Sequence, residues 1–161
     1  MEKMLRCVKH FITVCRHKYY VGTILFKEGL YWQGITHDLS KFSPVEFGPS
    51  AKYFNGKISP IEAEKAENGY SSAWLHHKSH NKHHWQYWLD YKNGETIISD
   101  IPDRYLKEMA ADVVGASKAY LQGEYNREEP IKYFRANRYS WLMTSKDKNT
   151  VSSYIKQFST Y

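Results

Sequence analysis

The chain has 161 residues, 42% of them hydrophobic and 25% charged, which is the balance of one folded domain rather than of a disordered tail. Its apolar runs fall far short of the ~20 residues that a membrane span requires. The charge-rich opening MEKMLRCVKHFITVCRHK also lacks the apolar stretch of a signal peptide, so a cytoplasmic setting with no membrane partner is expected. Lys and Arg number 23 against 17 Asp and Glu, a formal charge of +6 that favours anionic ligands, although no basic run reaches five residues.

In chain order, Met4, Leu5, Val8, Phe11, Ile12, Cys15 and Tyr19 recur at helical spacing and predict a first helix with this stripe as its buried side. The pattern allows either a break near Tyr20 or continuation through Val21, Ile24 and Leu25. Cys7 and Cys15 would lie ~12 Å apart along that helix, too far to bridge, and are expected as reduced core thiols. Ser43-Pro44-Val45-Glu46 and Ser59-Pro60-Ile61-Glu62 each present a serine cap, a proline at the first helical position and a glutamate three residues after the cap. The second of these is expected to open a helix reaching Ser79, with Gly48-Pro49 and Asn55-Gly56 punctuating the stretch between the two. Asn93-Gly94 marks a loop, and a helix follows from Asp100 or Pro102 to Gly123. Pro130 opens a further helix through Ser145, and a short one runs from Thr150 to Phe158. Ile97–Ile101 is the one stretch that reads as a strand. The fold class is therefore all-α: a single helical bundle over 1–161, with a core in 4–122 and C-terminal helices in 130–158.

Histidine is the informative residue. Five of the eight fall in one short segment: His76, His77, His80, His83 and His84. If that segment is helical, His76, His80 and His84 share a face and His77 lies beside it. Neutral imidazole is the commonest metal ligand, and two such rings one turn apart can converge on a cation, so metal ligation within the cluster is expected. Upstream, His37 and Asp38 are adjacent and can ligate together, the carboxylate adding charge that neutral imidazoles lack. Lys41, one turn beyond Asp38, is placed to reach an anion held by the metal. His17 lies on the first helix. Asp112 sits among apolar helical neighbours, where a carboxylate needs a metal, lysine or histidine partner. Glu108, one turn earlier, can accept a hydrogen bond from a ligand imidazole. Trp74, Trp85, Tyr87 and Trp88 read as core ahead of a wall for stacking a base. No nucleophile elbow, phosphate-binding loop or dinucleotide fingerprint is present.

The order His17, His37-Asp38, histidine cluster, Asp112 resembles the HD-domain superfamily of metal-dependent phosphohydrolases, roughly over positions 17 to 112. HDLSK is close to that superfamily's HDxGK, with Ser40 where glycine is usual. HDLSKFSPVEF, NKHHW and EMAAD together are also similar to a small uncharacterised family of bacterial and phage proteins, which supplies no reaction. The superfamily resemblance implies a helical bundle with His17, His37, Asp38 and Asp112 as metal ligands. Members holding two metals add histidines between the His-Asp pair and the last Asp, here matched to His77, His80 and His84, although that superfamily spreads them more widely. The resemblance further implies one or two divalent ions (Mn, Fe, Co, Zn or Mg) and a metal-activated water. Asp38 and Lys41 would be the catalytic residues, and the substrate a nucleotide or another small anionic phosphate ester. Two rival expectations stand beside it. One is a di-iron oxygenase of the same type; the other is a non-catalytic, metal-stabilised module that binds nucleic acid or protein.

Overall fold

The computed structural model describes residues 2–56 and 58–161. Helix α1 runs unbroken over Glu2–Lys27. The short α2 (Tyr31–Thr36) folds back on it and leads into a 3₁₀ turn at Leu39–Phe42. Helices α3 (Pro44–Tyr53), α4 (Pro60–Asn68) and α5 (Ser72–His80) follow, and then a second 3₁₀ turn at Trp85–Trp88. An antiparallel hairpin, β1 (Leu89–Lys92) and β2 (Glu95–Ile98), precedes α6 (Asp103–Leu121), α7 (Glu129–Asn137) and α8 (Ser145–Phe158). The chain is an all-α single domain carrying one small hairpin.

Local chemistry explains most of the boundaries. Ser43 and Ser59 are cap residues with Pro44 and Pro60 in the first turn, as their spacing predicts. Gly48-Pro49 does not interrupt α3. Pro49 leaves the Val45 carbonyl without its helical donor, and Val45 is exposed, so water can satisfy that oxygen. The helix opened by Ser59 does not reach Ser79. Gly69 adopts φ 79°, which ends α4, and Ser71 starts α5 by accepting a hydrogen bond from the Trp74 amide. The expected strand at 97–101 is realised only at Ile97 and Ile98. Asn93 and Gly94, both at positive φ, form the tight turn that pairs Lys92 with Glu95 and Leu89 with Ile98. Helix α6 stops at Leu121 rather than Gly123, because Gln122 already has φ 49°. Helix α7 ends at Asn137, well short of Ser145. In turn α8 starts at Ser145, earlier than Thr150, with the Thr144 hydroxyl accepting from the Asp147 amide.

The hydrophobic core lies between the second half of α1 (Val21, Ile24, Leu25), α6 (Leu106, Met109, Val113, Val114), α7 (Ile131, Phe134) and α8 (Val151, Ile155, Phe158). Helices α1 and α6 run in opposite directions: Lys107 pairs with Glu28 at 3.0 Å, and Gly115 meets Val21. A Cβ at Gly115 would fall 2.4 Å from Val21 Cγ2, so only glycine permits this approach of the two helices. Trp85 and Trp88 pack against the core, in line with their core reading, whereas Tyr87 is exposed.

One expectation is reversed. The stripe Met4, Leu5, Val8, Phe11, Ile12 and Tyr19 faces solvent, and Cys15 on the same face is an exposed thiol while Cys7 is half-buried. The buried side of α1 carries His10, Val14, His17, Val21, Ile24 and Leu25. Two histidines on that side hide it from an apolar-periodicity reading. His10 sits between the rings of Phe47 and Phe54, at 5.1 and 5.2 Å, and its Nδ1 has no hydrogen-bond partner. Burial, with the Lys41 charge adding to it, lowers its pKa from 6.5 to about 4. The folded state therefore keeps His10 neutral, and stability is lost as pH falls from about 6.5 towards about 4. His10→Leu is expected to recover about 2–3 kcal/mol relative to the native chain between pH 7 and pH 4.5, read from urea midpoints. An identical pH dependence in the two proteins would show that His10 titrates normally.

Candidate metal centre

Asp38 stands at the centre of the site. It precedes the 3₁₀ turn with φ 56° and ψ 23°, a left-handed conformation that aspartate tolerates better than most residues. Its carboxylate is buried between two sets of donors. Oδ2 faces His17 Nε2 at 3.1 Å, His37 Nε2 at 3.3 Å and Lys41 Nζ at 2.6 Å. Asp112 Oδ1 closes that side, 3.1 Å from His17 Nε2 and 3.6 Å from His37 Nε2. Oδ1 faces His77 Nε2 and His83 Nε2, each at 3.3 Å. Within His17–His37–Asp38–Asp112, and again within Asp38–His77–His83–His84, one ligand atom per residue lies within 4.8 Å of all the others. Each set could hold a metal ion, and Asp38 is common to both.

Two further carboxylates orient the imidazoles from behind. Glu108 Oε1 accepts from His37 Nδ1 at 3.0 Å and lies 3.2 Å from His83 Nδ1. Glu46 accepts from His77 Nδ1 and His76 Nδ1, each at 2.7 Å. With Nδ1 held outward, the Nε2 atoms of His37, His77 and His83 point at the centre, where loss of a proton to an incoming cation would leave the lone pair that a metal ligand requires. Glu108→Gln is expected to weaken metal binding by roughly 10–100-fold, because the amide cannot supply the negative charge that both rings share. Calorimetric titration with Mn(II) measures this, and unchanged affinity would strip Glu108 of that role.

Opposed charges set the electrostatics of the site. Burial pushes the Asp38 carboxyl up, but the charges of His37, Lys41 and His77 outweigh it and hold the group well below the usual carboxylate range. Asp112 is likewise held well below that range, burial being overcome by hydrogen bonds from His17 and His37. Burial drags His37 down, yet the Asp38, Asp112 and Glu108 carboxylates raise it well above its ordinary value. His84 moves the other way. Burial and the neighbouring His83 and His77 keep it neutral. The donor chemistry fits a cation. Asp38 Oδ1 and His83 Nε2 face each other without hydrogen-bond geometry, and these two atoms, with His84 Nε2, are buried with no hydrogen-bond partner. Buried polar atoms are rarely left so, and a shared ion would satisfy all three. Side-chain exposure at the site rises to 20% at Asp112 and 28% at Lys41, so a ligand can approach between them.

The structure thus brings together His17, His37, Asp38, Lys41, His77, His84 and Asp112. It does not bring in His80. That ring is exposed at the end of α5, donates to the His76 carbonyl at 2.8 Å and stacks on His76 at 4.0 Å. The helical face assumed for His76, His80 and His84 does not exist, because Asn81 turns extended (φ −114°, ψ 111°) and ends α5. Asn81 caps the helix through the His77 carbonyl and hydrogen-bonds Ser40 Oγ at 2.9 Å. Beyond it the non-helical chain carries both His83 and His84 back to the centre. His83, another member of the five-histidine cluster, takes the place of His80 as a candidate donor. Glu46 escaped notice because its place in the Ser-Pro-Val-Glu signature reads as a capping residue. Trp74 stands against His84 at 4.7 Å and His77 at 5.8 Å, walling the donors rather than filling the main core. Among the described residues, no helix is long and apolar enough to cross a membrane.

Comparison with known proteins yields a family model described as "Family of unknown function (DUF5662)", which matches residues 7–157. No curated protein and no solved structure matches the chain.

Proposed function

This chain belongs to the DUF5662 family, and from its donor geometry we propose that it is a metal-dependent phosphohydrolase of the HD type, in which His17, His37, Asp38 and Asp112 would hold one divalent ion and Asp38, His77, His83 and His84 a second. The observation that carries the reading is the division of the Asp38 carboxylate, Oδ2 towards His17 and His37 and Oδ1 towards His77 and His83, with Asp112 completing the first donor set and His84 the second. Five imidazoles against two carboxylates suit Mn, Fe, Co or Zn better than Mg, which prefers oxygen ligands. Bound divalent ions lower the pKa of a coordinated water from 15.7 towards ~7 and draw charge from phosphoryl oxygens.

The residues of the chain do the rest. Glu46 and Glu108 lock the imidazole tautomers, so no reorganisation is needed when a ligand arrives. Burial and the Asp38 and Asp112 carboxylates act in opposition on Lys41, and the carboxylates keep its ammonium charged. Placed at the solvent edge, Lys41 can meet an oxygen of a phosphate entering beside Asp112. The substrate class is a nucleotide or another small phosphate ester, consistent with the +6 chain.

Elemental analysis of purified protein, followed by a panel of nucleoside mono-, di- and cyclic phosphates with Mn, Co and Fe, tests this. Close to two ions per chain and release of inorganic phosphate or a phosphomonoester are expected. The imidazole-rich donor set also favours a second reading, a di-iron oxygenase. Two bound irons with oxygen consumption and no phosphate release would establish that reading instead.

A further inference from the structure

We infer that the solvent-facing stripe of α1 docks on an anionic lipid bilayer surface. Met4, Leu5, Val8, Phe11, Ile12 and Tyr19 are between 48 and 70% exposed, and they share one side of a helix ~39 Å long. A stripe of large apolar side chains along the outer face of a helix over residues 4–19 is unusual for an isolated globule. It is continuous with Phe42, whose ring lies 5.8 Å from Phe11.

Charge identifies what covers it. Lys3, Arg6, Lys9, Arg16, Lys18 and Lys27 stand against the single acid Glu2, so this helix carries +5 of the chain's +6. The charge is therefore concentrated, although no sequence run shows it. Lys9 follows Leu5, and Arg16 follows Ile12, by one helical turn, so both border the stripe. Among the described residues, none of these six cations pairs with a carboxylate; Lys18 donates to the Ile35 and His37 carbonyls instead. An apolar face bordered by cations matches the headgroup layer of an anionic membrane, into which such a helix sinks lengthwise. A second copy is disfavoured because it would set +5 against +5. The inferred contact is docking along the surface, without spanning. His17 lies on the opposite side of α1, so the docking face is separate from the metal donors.

Co-sedimentation of the full chain with vesicles tests this. Binding is expected to vesicles holding roughly one-third phosphatidylglycerol and not to phosphatidylcholine alone, with release as salt rises from ~0.1 to ~0.5 M. Val8→Glu with Ile12→Glu is expected to lower binding roughly tenfold or more while metal content and helical circular dichroism stay unchanged. Lys9→Glu with Arg16→Glu is expected to lower it too. Absence of binding, equal binding to both vesicle types, or undiminished binding by the variants would overturn the inference. So would a dimer in analytical ultracentrifugation that Ile12→Glu converts to monomer, since a second copy would then cover the face.

Discussion

Asp38→Asn is expected to abolish metal retention, lowering affinity by at least ~10³-fold, more than the 10–100-fold attached to an outer partner such as Glu108. The size follows from position. Asp38 is the one residue shared by both donor sets, one oxygen facing each. An amide keeps the shape but removes the charge that neutral imidazoles cannot supply, and its nitrogen would present hydrogens to one set. Asparagine is the informative replacement because position 38 lies at φ 56°, where Asn is tolerated and alanine would add backbone strain. Any loss of metal then reports on the carboxylate rather than on a displaced turn. Elemental analysis after dialysis, with circular dichroism to confirm the helices, measures it. A variant that keeps its full complement of metal would exclude Asp38 as a bridging ligand.

The same residues show how far the sequence reaches. Asp112 was legible as a carboxylate among apolar helical neighbours and His37-Asp38 as an adjacent ligand pair, whereas His17 stood out only through the family likeness that the order of the four residues carries. The identity of the remaining donors was not legible, because it depends on where α5 stops. A cap at Asn81 is a matter of backbone conformation, and the histidine spacing fits a continued helix equally well until that break is known. His83 and His84 reach the site from irregular chain, whose direction no periodicity encodes. Glu46 shows a different limit. Ser43 makes no side-chain cap bond in the structure, and Glu46 turns to His76 and His77, thirty residues away in sequence and invisible to local rules. The face of α1 was misread for a third reason. Periodicity finds the apolar side of a helix, but the inward side here must present His10 and His17, so the more uniformly apolar side is left outside.

Metal should act as a stabiliser whose effect grows with pH. In the metal-free chain, positive charge beside Asp38, Asp112 and Glu108 comes from Lys41 and from imidazolium. His37 is raised well above 6.5, with burial opposing and the carboxylates prevailing, and His83 is raised in the same manner despite burial and the His37 charge. A raised histidine contributes stability that is fully present below its unfolded value of 6.5 and is lost as pH climbs through its folded value. The metal-free protein should therefore weaken on the alkaline side of neutrality. A bound cation needs these same Nε2 atoms deprotonated, so binding displaces protons and tightens as pH rises. The two trends have opposite signs, and the gap in thermal midpoint between loaded and chelated protein should widen from pH 6 to pH 8. With free metal at about 100 times its dissociation constant, one site adds about 2.7 kcal/mol. For a chain of this length that corresponds to a rise of ~5–10 °C in Tm. Calorimetric scans of Mn-loaded and EDTA-treated protein at pH 6, 7 and 8 measure it, with proton release checked by repeating the Mn(II) titration in two buffers of different ionisation enthalpy. A constant gap with no proton release would mean that no imidazole at this centre gives up a proton to metal, and the ligand set drawn around Asp38 would fail.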